Sequence, residues 1–297
     1  MQTRATSTAL AFAVAALGIA LFSGMDAVMK GLSLAIGAYN ALLWRTWAST
    51  MLSGTLFLAH RSRWPGRKAA RLHLIRGTLS VFMAITFFWG LARVPLAQGV
   101  ALAFVAPLIA LYLAALILKE KIERRAILAS LLGFAGVIVI LSSQAQAKMG
   151  PEAMQGAISI LVSAVLYAYN IILMRQQAQE AGPVEIAFFM NLLMALGFTV
   201  AAPFLAVVPD PVHLPAIFGA ALLAFLSLML LSWAYARAEA QHLAPVEYTA
   251  FIWATLFGLL VFAEPIRPLT VLGAAMIVFA CLIAARRGQI PDVEAAP

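Results

Sequence analysis

The sequence predicts an all-α membrane protein of ten transmembrane helices, built as two five-helix repeats of inverted topology. Three observations carry this. Of 297 residues, 64% are hydrophobic and 11% charged, against about 45–50% and about 25% in soluble domains. Apolar stretches of roughly twenty residues, enough to cross about 30 Å of hydrocarbon, recur from Leu10 to Ala285. Sliding the chain along itself by 144 places sets Trp89, Ala92, Arg93, Glu120 and Ile122 on Trp233, Ala236, Arg237, Glu264 and Ile266.

The expected spans are 8–30, 39–59, 74–93, 95–118, 126–143, 155–175, 184–208, 214–236, 242–262 and 268–285. The first ends in SGMDAVMK and the second carries Arg45. A basic connection from Arg61 to Arg71 leads into the third, which closes on Arg93. The fourth holds Pro107 and closes on Glu120, and Arg124 and Arg125 open the fifth. The sixth ends at Arg175, the seventh follows Gly182, and the eighth ends at Arg237. The ninth starts around Pro245, carries Glu247 and closes on Glu264, and the tenth stops before Arg286. A signal peptide is the rival reading of residues 1–30, but no small-x-small cleavage site follows and the segment has a counterpart later in the chain. These boundaries divide the protein into repeats 8–143 and 155–286 and a tail, 287–297.

Ten spans make the connections alternate sides. Fifteen Lys and Arg fall on one side and four, Lys30, Arg93, Lys148 and Arg267, on the other, with Arg45 inside a span. The positive-inside rule then puts both termini in the cytoplasm of a cell bounded by this membrane. The net charge of +8 is accounted for by topology and implies no nucleic acid. Cys281 is the single cysteine, so no internal disulfide forms.

A shift of 145 places Lys30 on Arg175 and Gly37 on Gly182, extending the repeat to the first helix. Five helices per half is an odd number, so the second half enters the membrane from the opposite side. Proteins so built bind substrate near the midplane between their halves.

The order of these features resembles the drug/metabolite transporter superfamily, specifically its ten-helix EamA type, over residues 8 to 286. The resemblance rests on Gly24 and Lys30 at the end of the first helix, Arg45 in GAYNALLWR, and Glu120 and Glu264 at the ends of the fourth and ninth. Ala129 and Gly136, and Gly273 and Ala280, follow those glutamates at matching distances. Met190 stands where a second arginine would fall. Within the family the chain is most similar to the amino-acid and drug exporters of the YddG type. The resemblance implies a basket of helices around a central cavity, lined by helices one to four and six to nine, and a secondary transporter exporting amino acids, aromatic ones included, or related amphipathic drugs. The alternative is an importer or exchanger of another small metabolite.

Arg93 and Glu120 lie 27 residues apart, about 40 Å along a helix, so they cannot pair. Their duplication with Arg237 and Glu264, like that of Lys30, reads as structural, marking helix ends at the headgroups. Polar groups without a counterpart are the better functional candidates, because an ionisable residue in a span costs at least roughly 2.5–3.5 kcal/mol unless paired or wetted. Asp26 and Arg45, each about one turn from the outer end of its helix, are expected to pair at an outer gate or to be separately hydrated. Glu247 is placed to titrate or to hold a substrate amine, or is a wetted interfacial acid. Pro107 is expected to kink the fourth helix and free the Ala103 carbonyl, for a ligand or simply for packing. Phe82, Thr86, Phe87, Gln98, Phe104, Tyr167, Asn170, Trp233, Tyr248 and Trp253 fall on cavity-lining helices and suit an aromatic or amphipathic ligand, although each also reads as packing or lipid-facing. The small residues from Ala129 to Gly136 and Gly273 to Ala280 allow close packing within the fold or a dimer seam, leaving monomer or homodimer open.

Enzyme chemistry finds no support. Asp26 is the one Asp within a span, no His accompanies Ser23, and no HExxH or P-loop is present, so neither a metal nor another cofactor is implied. The partners expected are a small-molecule substrate and membrane lipids. A channel would call for rings of like polar residues, which the scattered polar groups do not supply.

Overall fold

The structure is a computed structural model and describes residues 2–60, 64–118, 124–146, 150–235 and 246–285. Its elements are α1 (Gln2–Ile36), α2 (Ala38–Ala59), α3 (Arg67–Leu91), α4 (Leu96–Ala103), α5 (Ala106–Leu118), α6 (Arg124–Gln146), α7 (Pro151–Ala178), α8 (Pro183–Val200), α9 (Ala202–Leu205), α10 (Leu214–Tyr235), α11 (Ala250–Phe262) and α12 (Pro268–Ala285). No strand occurs among the described residues. Five stretches are long and apolar enough to cross a membrane: Leu10–Ile36, Arg67–Leu91, Pro151–Met174, Pro183–Val200 and Pro211–Ala234. Shorter apolar helices cover Leu96–Ala110, Ser130–Ser142, Ala250–Phe262 and Pro268–Ala280. The expected second span forms α2, which Asn40, Arg45 and its Thr and Ser residues keep out of both groups. Those hydroxyls are satisfied locally: Thr46, Thr50 and Ser53 donate to the carbonyls of Leu42, Thr46 and Ser49 at 2.7–2.8 Å, which lets them lie buried in a helix.

Helix ends follow local chemistry. Gly37 adopts φ 79° between α1 and α2, a left-handed conformation that glycine takes without strain. Proline opens α7 and α8 after extended Gly150 and Gly182, where a missing N–H costs nothing. α1 continues to Ile36 rather than Lys30. The seventh span ends at Val200 instead of 208: Pro203 falls in the one-turn α9, and the extended chain beyond it docks on α2, with Val207 N–H donating to Asn40 and the Trp44 indole donating to Val207 O.

The expected fourth helix is two helices. α4 stops at Ala103, Phe104 and Val105 form a turn, and α5 restarts at Ala106 with Pro107 in its first turn, where proline is tolerated. A turn at Tyr248 and Thr249 precedes α11 in the same way. Three-residue hydrogen bonds recur at both places, Leu108 N–H to Val105 O at 3.1 Å and Ile252 N–H to Thr249 O at 2.9 Å. The second turn has no proline at the matching position, Phe251.

Four helix pairs organise the packing, α1 with α10, α2 with α8, α3 with α7 and α6 with α12. Each joins a helix of the first half of the sequence to one of the second. Small residues permit the closest approaches: a Cβ on Gly90 would stand 2.5 Å from Gly156 O, and one on Gly136 would stand 2.7 Å from Gly273 O. Gly136 and Gly273 therefore serve packing inside one chain, as does Ala280, buried against α6. One apolar cluster centres on Met29, Leu42, Leu91, Leu96, Phe198 and Ala220, and a second on Leu102, Leu108, Ile140, Ile160 and Ile277.

Candidate functional site

A chain of buried polar side chains ties α3 to α7 and α8. His73 and Arg76 are three apart on α3 and Asn170 and Gln177 seven apart on α7, spacings that put each pair on one helix face. Arg76 donates from Nε to Asn170 Oδ1 at 2.9 Å and from Nη1 to Gln177 Oε1. The Gln177 amide meets His73 Nδ1 at 2.6 Å, and His73 Nε2 meets Glu185 Oε1 at 3.0 Å. The His73 ring also stacks on Phe189, 5.0 Å between centroids. His73, Arg76, Asn170 and Gln177 are all buried. Arg76 belongs to the fifteen topology-setting charges of one side; the helical spacing of the two pairs is the signal that finds this chain.

Tyr167 lies one turn along α7 from Asn170. It keeps 39% of its surface open. Arg76 and Glu247 both act on it electrostatically. Of the expected residues, Asn170 thus contacts Arg76 directly, and Tyr167 lies in the electrostatic field of both Arg76 and Glu247.

Asp26 and Arg45 form a second charged locus. Both are buried, at 6% and 8% exposure, and they interact electrostatically, but no direct ion pair joins them among the described residues. Arg45 Nε and, one turn along α2, Ser49 Oγ have no hydrogen-bond partner. Because α1 runs to Ile36, Asp26 lies ten residues, about 15 Å, from the helix end, deeper than the single turn expected.

Lys30 is engaged elsewhere. Its ammonium pairs with Glu264 Oε1 and donates to Val94 O at 2.6 Å, and Glu264 Oε2 accepts from Leu96 N–H at 2.7 Å. This clamp fastens α1 to the α3–α4 corner and to the end of α11, where Ala263 takes the left-handed φ of 52°. Arg93 closes α3 by donating to Trp89 O at 2.9 Å while lying 3.5 Å over the Trp89 ring. Glu120 and Arg237 lie outside the described residues.

The remaining expected residues scatter. Trp233 and Trp253 pack against the cluster of Ala15, Ile19, Ala234 and Val246. Phe87 packs between the two main clusters, and Phe82 is 59% exposed. Thr86 returns its hydroxyl to Phe82 O. Gln98 is buried and donates to Ile140 O at 3.2 Å, tying α4 to α6, and it borders a groove with Phe251, Thr255 and Arg267. Phe104 meets Tyr248 ring to ring.

Over 271 residues the chain is 26% identical to the pseudopaline exporter CntI of Pseudomonas aeruginosa, covering 89% of this chain and 92% of that one. It is 24% identical over 211 residues to an S-adenosylmethionine uptake transporter of Rickettsia bellii, covering 71% of each. A solved crystal structure superposes with a TM-score of 0.63 at 20% identity, covering 96% of this chain and 100% of the other, a likeness of fold. Residues 9–142 and, separately, 154–286 match one and the same family, and with its apolar helices the chain belongs to the EamA-like transporter family of membrane proteins.

Proposed function

We propose that the protein exports amino acids, aromatic ones included, and related small amphipathic metabolites across the cytoplasmic membrane. The electrostatic coupling of Tyr167 to Arg76 and to Glu247 carries this reading. An amino acid presents a carboxylate, an ammonium and, in the aromatic members, a flat apolar body; a guanidinium, a carboxylate and a phenol complement all three. Phe104 and Tyr248, at the two helix breaks, would border the same path, with Asn170 holding Arg76 in place. Alternating access would arise from rocking of two inverted halves, 8–143 and 155–286, with both termini cytoplasmic. The twofold family match and the four pairs that each cross between halves support that arrangement. The kinship with S-adenosylmethionine uptake transporters favours a second reading, import or exchange of another small metabolite.

Flux of labelled amino acids in proteoliposomes of the purified protein tests it, with the proton gradient set and then collapsed. Saturable flux competed by aromatic amino acids is expected. Flux that survives the collapse identifies a facilitator, and flux that dies with it assigns coupling to Glu247 or Asp26. Absence of saturable flux from folded protein removes the amino-acid assignment and leaves the second reading.

A further inference from the structure

We infer that Asp26 and Arg45 form a recognition site for an α-amino acid zwitterion, Asp26 taking the ammonium and Arg45 the carboxylate. This rests on the amino-acid reading above and adds a second station for the substrate, on α1 and α2. The argument begins with a missing contact. Two opposite charges buried at membrane depth gain most by touching, since each isolated charge carries a large desolvation penalty. Asp26 and Arg45 are buried to 6% and 8% exposure and feel each other's field, yet they form no direct ion pair. Arg45 Nε is left without a partner, and Ser49 Oγ beside it on the same helix face is also open. Lys30, one turn from Asp26 on α1, cannot fill the gap, because Glu264 and Val94 O hold its ammonium. The locus therefore offers one acceptor of positive charge and, separately, an unsatisfied guanidinium with a hydroxyl next to it.

That arrangement selects the ligand's chemistry. A dicarboxylate would set an anion against Asp26, and a diamine would set a cation against Arg45. A zwitterion satisfies both, and a guanidinium and hydroxyl together suit a carboxylate's two oxygens.

The test uses the full chain in proteoliposomes, with labelled phenylalanine flux competed by phenethylamine, which lacks the carboxylate, and by 3-phenylpropionate, which lacks the amine. Arg45→Gln is expected to weaken phenylalanine about 10- to 100-fold, the value of a charge-assisted hydrogen bond, while leaving competition by phenethylamine nearly unchanged. Asp26→Asn is expected to show the mirror pattern, sparing 3-phenylpropionate. Each ratio is read within one preparation, so partial loss of folded protein cancels. Where a neutral variant fails to reconstitute, Arg45→Lys and Asp26→Glu keep the charge but alter its reach, and the same selectivity shift in smaller measure is expected. Equal weakening of all three ligands, or no change in any, overturns the site while leaving the amino-acid assignment standing. A wild-type protein without saturable phenylalanine flux overturns both.

Discussion

Phe104 and Tyr248 meet edge to face, with ring centroids 5.4 Å apart and planes at 86°, and they stand 144 positions apart, the shift that also sets Trp89 on Trp233. Phe104 occupies the turn between α4 and α5, and Tyr248 the turn just before α11. The contact therefore joins those two turns. Edge-to-face pairs contribute about 0.5–1.5 kcal/mol beyond their buried area. Phe104→Ala and Tyr248→Ala are each expected to slow transport, and the double variant to lose less stability than the sum of the two by about that amount. Tyr248→Phe should retain the coupling. Thermal unfolding of the four proteins closes the cycle, and additive losses would show that the rings touch without supporting each other.

The Lys30–Glu264 clamp makes a different prediction. Glu264→Gln removes the charge that holds the Lys30 ammonium but can still accept from Leu96 N–H. A hydrogen bond to a charged group contributes roughly 1.5–3 kcal/mol, so a loss in that range is expected, and Lys30→Met should lose at least as much because it leaves Glu264 and Val94 O without the ammonium. Combining the two removes both charges and is expected to be less destabilising than the sum. Unfolding midpoints in one detergent, compared at constant lipid content, measure it.

At the α6–α12 contact, backbone meets backbone. A methyl group on Gly273 would sit 2.6 Å from both Gly136 O and Ile140 Cγ1. The isoleucine can move, but the carbonyl belongs to a helix and cannot without shifting it. Gly273→Ala and Gly136→Ala are each expected to cost about 1–3 kcal/mol, as overpacking does. By contrast Gly31→Ala, where no atom lies within 4 Å of the new methyl, should be neutral or slightly stabilising, since alanine is the better helix former. Equal effects at all three positions would count against tight α6–α12 packing.

How much of this the sequence discloses differs by level. The all-helical, apolar character follows from apolar length and charge, while the ends of the first and seventh spans and the split of the fourth do not; the spacing at Gly136 and Gly273 marks close packing without saying between which helices. The break before Pro107 was half legible: proline signals a disturbed helix, but nothing local distinguishes a kink from a full stop. The turn at Tyr248 has no proline at the matching position and leaves no such trace. The repeat singles out Lys30 as a charge at a helix end, whereas α1 runs on to Ile36 and its partner Glu264 lies 234 residues away; only the packing of α1 against the end of α11 decides that match. The chain from Glu185 to Asn170 was hidden for a further reason. Arg76 obeys the positive-inside rule whether it faces headgroups or a buried amide, so its charge count says nothing of its burial.

That buried chain yields the prediction that best separates architecture from transport. Gln177 serves two neighbours, accepting from Arg76 Nη1 and meeting His73 Nδ1. Gln177→Leu orphans a buried guanidinium nitrogen and a buried imidazole nitrogen at once. Each unsatisfied group costs about 1–3 kcal/mol, so stability should fall by at least about 2 kcal/mol, and flux should fall with it because Arg76 loses one of the two partners that fix its direction. Tyr167→Phe removes one hydroxyl from a side chain that is 39% exposed and breaks no link in the chain. Its unfolding is expected to stay within about 0.5 kcal/mol of wild type, while the affinity for a zwitterionic substrate changes, because the hydroxyl sits in the field of Arg76 and Glu247. Thermal unfolding and saturation kinetics on the same preparations give both quantities. A Tyr167→Phe protein with wild-type kinetics would leave the hydroxyl without a role in binding, and one as unstable as Gln177→Leu would make it part of the buried scaffold.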